Sequence, residues 1–246
     1  MANQVAHEAF NHLLGDLRAT HGDNLAAVLL YGSAASGDHV AQSSDYNLLI
    51  ALQRITLEDL RLAQAPMREW QRLGHPLPVY FTLDELHGAA DVFPIEFQQM
   101  SRARVVLYGI DPFATLQLSN ANLRHQTEYE LRSKLIQLRR LYIPASVSID
   151  KLCDLMSDSL TSFAALFAPV LLLNGTEPPV VKREVVRATV KQLKLDGAPF
   201  ERIFELRETG VRPATDAEAN DLFAAYLAQV ERVVVAVDQM DTAGPP

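Results

Sequence analysis

Short apolar runs alternate with amphipathic segments in the first half of this 246-residue chain but not in the second, and this asymmetry restricts the folds open to it more than any other feature. Residues 26–31 and 46–52 are the two longest, and residues 79–82, 93–97 and 105–108 supply three shorter ones. Between them lie segments of helical period, such as residues 5–21, where Phe10, Leu13, Leu14 and Leu17 recur at three- and four-residue steps. Such interleaving is the pattern of an α/β layer structure. Pro94 confines residues 93–97 to an edge strand or stands as that strand's first residue. Thr56-Leu57-Glu58-Asp59 reads as an N-terminal cap whose helix stops near Gly74, and Thr82-Leu83-Asp84-Glu85 as the cap of a short helix.

After Gly109-Ile110-Asp111-Pro112 the texture changes and no β-run follows. Leu131, Leu135, Leu138 and Tyr142 share one face of a helix beginning near Asn122. Ser148 caps a longer one that runs through Leu173, is kinked or interrupted at Pro169, and stops at Asn174-Gly175. Further helices are expected at 181–195 and 200–209, the former over a stretch whose β-branched residues lower its propensity. A last one opens at Thr215, with Glu218 completing a capping box. The expected fold class is therefore α/β (α+β): a mixed sheet with flanking helices over residues 1–115, then an all-helical domain over 116–246.

A net charge of −8 and a pI near 5.3 argue against a nucleic-acid backbone or an anionic membrane as partner, since both attract clustered Lys and Arg. The single Cys153 sits among Leu152, Leu155 and Met156 and reads as a buried thiol in a reducing compartment. The seven histidines show no zinc-ligand spacing, and Trp70 reads as packing. No secretory signal opens the chain, and the apolar run 163–173 is too short to span a bilayer. A cytoplasmic location is expected, and self-association is compatible with the sequence.

The chemistry concentrates between Gly32 and Asn47. If residues 26–31 and 46–52 are adjacent strands, alternation sends Asp45, Asn47 and Leu49 to one face and Tyr46, Leu48 and Ile50 to the other. Two oxygen ligands two residues apart can share a hard cation such as magnesium together with phosphate oxygens. Gly32 lets the backbone approach a phosphate closely, and Ser33 adds a hydroxyl and an N–H.

These residues resemble the signature of the nucleotidyltransferase superfamily, which includes polymerase-beta-type enzymes and aminoglycoside nucleotidyltransferases. Its pattern is Gly-Gly or Gly-Ser, a gap of roughly nine to thirteen residues, then Asp-x-Asp or Asp-x-Glu between apolar residues. Here Gly32-Ser33 is followed after eleven residues by Asp45-Tyr46-Asn47-Leu48, so the last acid is replaced by an amide. The resemblance implies a third carboxylate on a later strand, for which Glu96 is the candidate and Asp91 the fallback. It implies that residues 106–109 form the strand closing the catalytic domain, and that Lys134, or less plausibly Arg124 or Arg139, meets the triphosphate from the helical half. By itself that helix face reads as solvated, with Glu128 and Glu130. On this reading Asp45 and Glu96 are catalytic, Gly32, Ser33 and Lys134 bind nucleotide, and Asp45, Asn47 and Glu96 hold Mg2+. The reaction implied is transfer of a nucleoside monophosphate, AMP from ATP, to a small hydroxyl acceptor or a protein. The alternative is a catalytically weak or inactive relative that binds nucleotide or uses its helical half for a protein partner, because an amide holds one cation more readily than two.

Overall fold

The computed structural model describes residues 2–32, 34–35 and 46–240, with backbone alone for residues 2–8. The chain forms two units, Met1–Leu118 and Ser119–Pro246. In the first, β1 (Leu25–Tyr31) is apolar at every position and buried from Leu25 to Leu30, as a strand covered on both faces must be. The sheet has four strands in the order β3-β2-β1-β4. β2 (Asn47–Leu52) and β4 (Arg104–Gly109) run antiparallel to β1, while β3 (Val79–Thr82) runs parallel to β2.

Alternation then divides the core. Val28, Leu30, Leu48, Ile50 and Leu52 point to one layer, where they meet Leu13 and Leu17 of α1 (Ala2–His21) and Met67 and Trp70 of α3 (Gln64–Arg72). Leu29, Leu49 and Ala51 point to the other, against Leu86 of α4 (Leu83–Gly88) and Phe97 and Met100 of α5 (Pro94–Arg102). Trp70 is 1% exposed and its indole N–H donates to Pro76 O at 3.0 Å, so it is a packing residue. Thr56 caps α2 (Leu57–Leu62) and Thr82 caps α4, each in a complete capping box. Asn24, in the 3-10 turn before β1, exchanges hydrogen bonds with Arg54 and reaches Asp59, tying the start of β1 to the end of β2. Gly109 is obligatory: at φ +75° a Cβ there would lie 2.0 Å from Ala26 O.

One expected strand is a helix. Residues 93–97 open α5, with Pro94 in its first turn, Glu96 among the first N–H groups and Met100 one turn beyond Phe97 in the core. An apolar run of five residues fits a buried strand or a helix face equally well, and here helix-start chemistry prevails.

The second unit consists of α6 (Asn120–Ala145), α7 (Ile149–Leu173), α8 (Lys182–Leu193), α9 (Ala198–Thr209) and α10 (Asp216–Asp238). Ser119, Ser148 and Thr215 cap α6, α7 and α10 through their side chains. Pro169 lies inside α7 without ending it. Helix α7 is long and apolar enough to cross a membrane by length and composition. Its Leu152, Met156, Leu160, Phe163 and Phe167 are nonetheless buried against Leu135, Phe200, Tyr226 and Val230, which makes it the central helix of the bundle. The observed architecture is the expected one, a mixed sheet with flanking helices followed by an all-helical unit.

Candidate nucleotide site

The site begins where β1 ends. Gly32 adopts φ +81°, its N–H donates to Ala103 O at 3.0 Å, and its carbonyl accepts from Ala35 N–H at 2.9 Å. Positive φ, rather than lack of room, requires glycine: a Cβ there would stand 3.6 Å from Asn47 Nδ2, an ordinary contact. Gly32 and Asn47 are thus brought together, with the Asn47 amide against the face of Gly32 that has no side chain. Ser33 and Asp45 lie outside the described residues.

Strand pairing extends this corner into a row. Asn47 is opposite Tyr31, and Tyr31 is opposite Arg104, so three side chains from three strands share one face. Burial pushes the Tyr31 hydroxyl above the usual phenol value and keeps it protonated. Arg104 grips Asp111 through Nε at 2.9 Å and through its terminal nitrogen at 2.7 Å, and also donates to Ser101 O. The Arg104 guanidinium, with the Phe113 N–H, holds the Asp111 carboxyl below its ordinary value. The charge of Arg104 is therefore already met within the fold. Sequence reasoning missed both Tyr31 and Arg104. The available signals were a tyrosine directly before Gly32 and an Arg–Asp pair bracketing the last strand.

The remaining candidates stand on other elements. Glu96 is exposed on the first turn of α5, the helix whose Phe97 and Met100 pack under the sheet face to which Asn47 belongs. Asp91 is exposed in the turn between α4 and α5. Neither β3, with Val79, Tyr80, Phe81 and Thr82, nor β4 carries a carboxylate. In the helical unit Arg124 is bound to Glu128 at 2.8 Å and Arg139 to Glu231 at 2.6 Å. Lys134 makes no ion pair among the described residues and lines a cavity of about 200 Å3 with Gln137, Asp158 and Ser162.

A two-cation centre needs several hard oxygen ligands, mostly carboxylates, converging within a few ångströms. Among the described residues no three His, Cys, Asp or Glu side chains converge in this way, and Asn47 supplies at most one amide oxygen. Asp45, an expected ligand of such a centre, lies outside the described residues.

No family model and no curated protein matches this sequence. A solved structure does: the spectinomycin adenyltransferase AAD(9) from Enterococcus faecialis, crystallised with ATP and spectinomycin, is similar at a TM-score of 0.56 and 13% identity. The match covers 92% of this chain and 98% of that one. The chain therefore shares the fold of that adenyltransferase structure over nearly its whole length.

Proposed function

We propose that this chain binds a nucleoside triphosphate, ATP in the first instance, at the end of the sheet marked by Gly32 and Asn47, and that binding there exceeds turnover. The observation carrying this reading is the pairing of Gly32 and Asn47 at the strand ends, with no carboxylate on either later strand. ATP and a small hydroxylated acceptor are suggested by the AAD(9) complex, whose fold this chain shares. Gly32 places no side chain at the end of β1, and Ser33 follows it with a hydroxyl. Asp45 remains as the one acid of the signature. Replacing its neighbour by an amide removes a negative charge that would offset cation repulsion during transfer.

A second reading keeps the enzyme. Helix α5 carries Glu96 in the layer covering the Asn47 face, which favours a site completed by Asp45 and Glu96. There the acceptor oxygen would attack the α-phosphorus, the bond to the bridging oxygen would break, and pyrophosphate would leave with AMP on the acceptor.

Calorimetric titration with ATP, with and without magnesium, separates these readings when paired with pyrophosphate release by wild type and Asn47→Asp. Binding by both forms, with release by Asn47→Asp alone, is the expected result. Release by wild type with a hydroxylated acceptor, lost in Glu96→Gln, establishes the second reading. Absence of ATP binding at millimolar concentration overturns both.

A further inference from the structure

Helix α6 carries two apolar faces, and the bundle uses one of them. Leu131, Leu138 and Ala145, at seven-residue intervals, are buried in the core of the helical unit. On a helix of 3.6 residues per turn, the line opposite them runs between the positions two before and two after each. There Tyr129, Ile136 and Ile143 are 68%, 64% and 72% exposed, again seven residues apart. The helix continues through Pro144 to Ala145, so all three share one side over about 21 Å. Single exposed apolar residues are ordinary on a surface, but three large ones in strict heptad register form one row of a coiled-coil seam. Ser133 and Arg140 stand in the alternate row of that seam, and Glu130 flanks it. Neither Arg140 nor Glu130 forms an ion pair with any described residue, whereas the neighbouring Arg132 and Arg139 are held by Glu128 and Glu231.

We propose that this face pairs with the same face of a second copy of the chain, the two α6 helices running antiparallel across a two-fold axis between Ser133 and Ile136. In that register each Ile136 sits over Ser133 of the partner subunit, a large side chain over a small one. Each Arg140 then lies over the ring of the partner's Tyr129, with the partner's Glu130 beside it to meet its charge. Parallel pairing would instead set Arg140 against the partner's Arg140, a like-charge layer at the centre of the seam. The face carries its own complement, an aromatic ring and an acid about three turns before a base, which is what a two-fold interface between identical chains requires. A seam of this length is smaller than an obligate interface, so the association is reversible, with a dissociation constant in the micromolar range. It involves the helical unit alone and does not depend on nucleotide binding.

Sedimentation velocity of the full-length chain across the micromolar range is the test, and a concentration-dependent equilibrium between monomer and dimer is expected. Ile136→Glu should raise the dissociation constant by about tenfold or more, with the melting temperature of dilute protein unchanged because the side chain is exposed in the monomer. Arg140→Glu, which faces the partner's Glu130 with a like charge, should weaken association comparably, and adding Glu130→Arg should largely restore it. A chain that stays monomeric at every concentration overturns the proposal, as does a dimer indifferent to Ile136→Glu. Association weakened by Arg140→Glu but not recovered in the double exchange overturns the antiparallel register.

Discussion

Tyr80 in the sheet unit and Tyr226 in the helical unit are both pushed above the usual phenol range by burial, yet of the two hydroxyls only that of Tyr226 has a hydrogen-bond partner among the described residues. Its hydroxyl lies 3.1 Å from Ser159 Oγ, which itself donates to Met156 O. The same contrast recurs around each residue. Thr127 and Thr189, buried in the bundle, donate to carbonyls one turn back at 2.6 and 2.9 Å. In the sheet unit His21 and Tyr80 retain polar atoms unpaired among the described residues. Charges follow suit: Arg183 and Arg187 both hold Glu201, while Arg124 and Arg132 both hold Glu128. Among the described residues of the helical unit these buried hydroxyls all find partners. The sheet unit leaves some of its own open, which is where ligand chemistry is to be sought.

The largest test of this contrast concerns packing. Phe200, fully buried at the centre of the bundle, should cost about 3–5 kcal/mol when truncated to alanine, whereas Met67→Ala beside an existing cavity should cost nearer 2 kcal/mol by urea denaturation. Equal losses would erase the distinction. Next come the two tyrosines. Tyr226→Phe strands part of the Ser159 network and should cost about 1 kcal/mol, while Tyr80→Phe should be neutral or stabilising. A comparable loss in both would mean that Tyr80 has a partner in solution.

The smallest effect is in pH. Burial lowers the His21 value below 6.5, with Asp59 acting weakly in the opposite sense. The unfolded chain therefore protonates first on acidification: this contribution is complete above about pH 6.5 and is lost as pH falls toward the depressed native value. His21→Leu should flatten the melting temperature over that interval. Glu128 and Glu201 are lowered by their arginine hydrogen bonds, chiefly from Arg132 and Arg187. Their contribution is present above the ordinary 4.5 and is lost only as pH falls through the lower native values. Glu201→Gln should thus lower the melting temperature at neutral pH and flatten the acid limb.

Much of this architecture was legible because it is written locally. Thr56, Thr82, Ser148 and Thr215 announce helix starts through side-chain oxygens, and the apolar runs of β1 and β2 allow no other placement. The helix at Lys182–Leu193 forms despite Val185, Val186 and Val190, since burial of Val185 and Val186 outweighs β-branched propensity. Residues 93–97 misled because hydrophobicity over five positions has no readable period, although Pro94 and Glu96 were helix-start signals in plain view. Within the candidate site, the face on which Asn47 stands followed from strand alternation, while its closeness to Gly32 comes from the register of β1 and β2. The row through Tyr31 to Arg104 did not follow, because it depends on β4 pairing with β1 across more than seventy residues. The unsatisfied Tyr80 hydroxyl was equally invisible, since an unsatisfied group is a property of three-dimensional surroundings.

The amide of Asn47, at the first position of β2, has a genetic consequence. Every asparagine codon becomes an aspartate codon by one purine transition at its first base, so the full Asp-x-Asp signature is a single mutational step away. The side chain exchanged is nearly isosteric and already points at the glycine corner. Building a carboxylate on β3 would instead put a charge on a strand whose Tyr80 and Phe81 pack into the two cores. Selection for nucleotidyl transfer from a library of this gene should therefore recover changes at codon 47 before changes anywhere on the later strands.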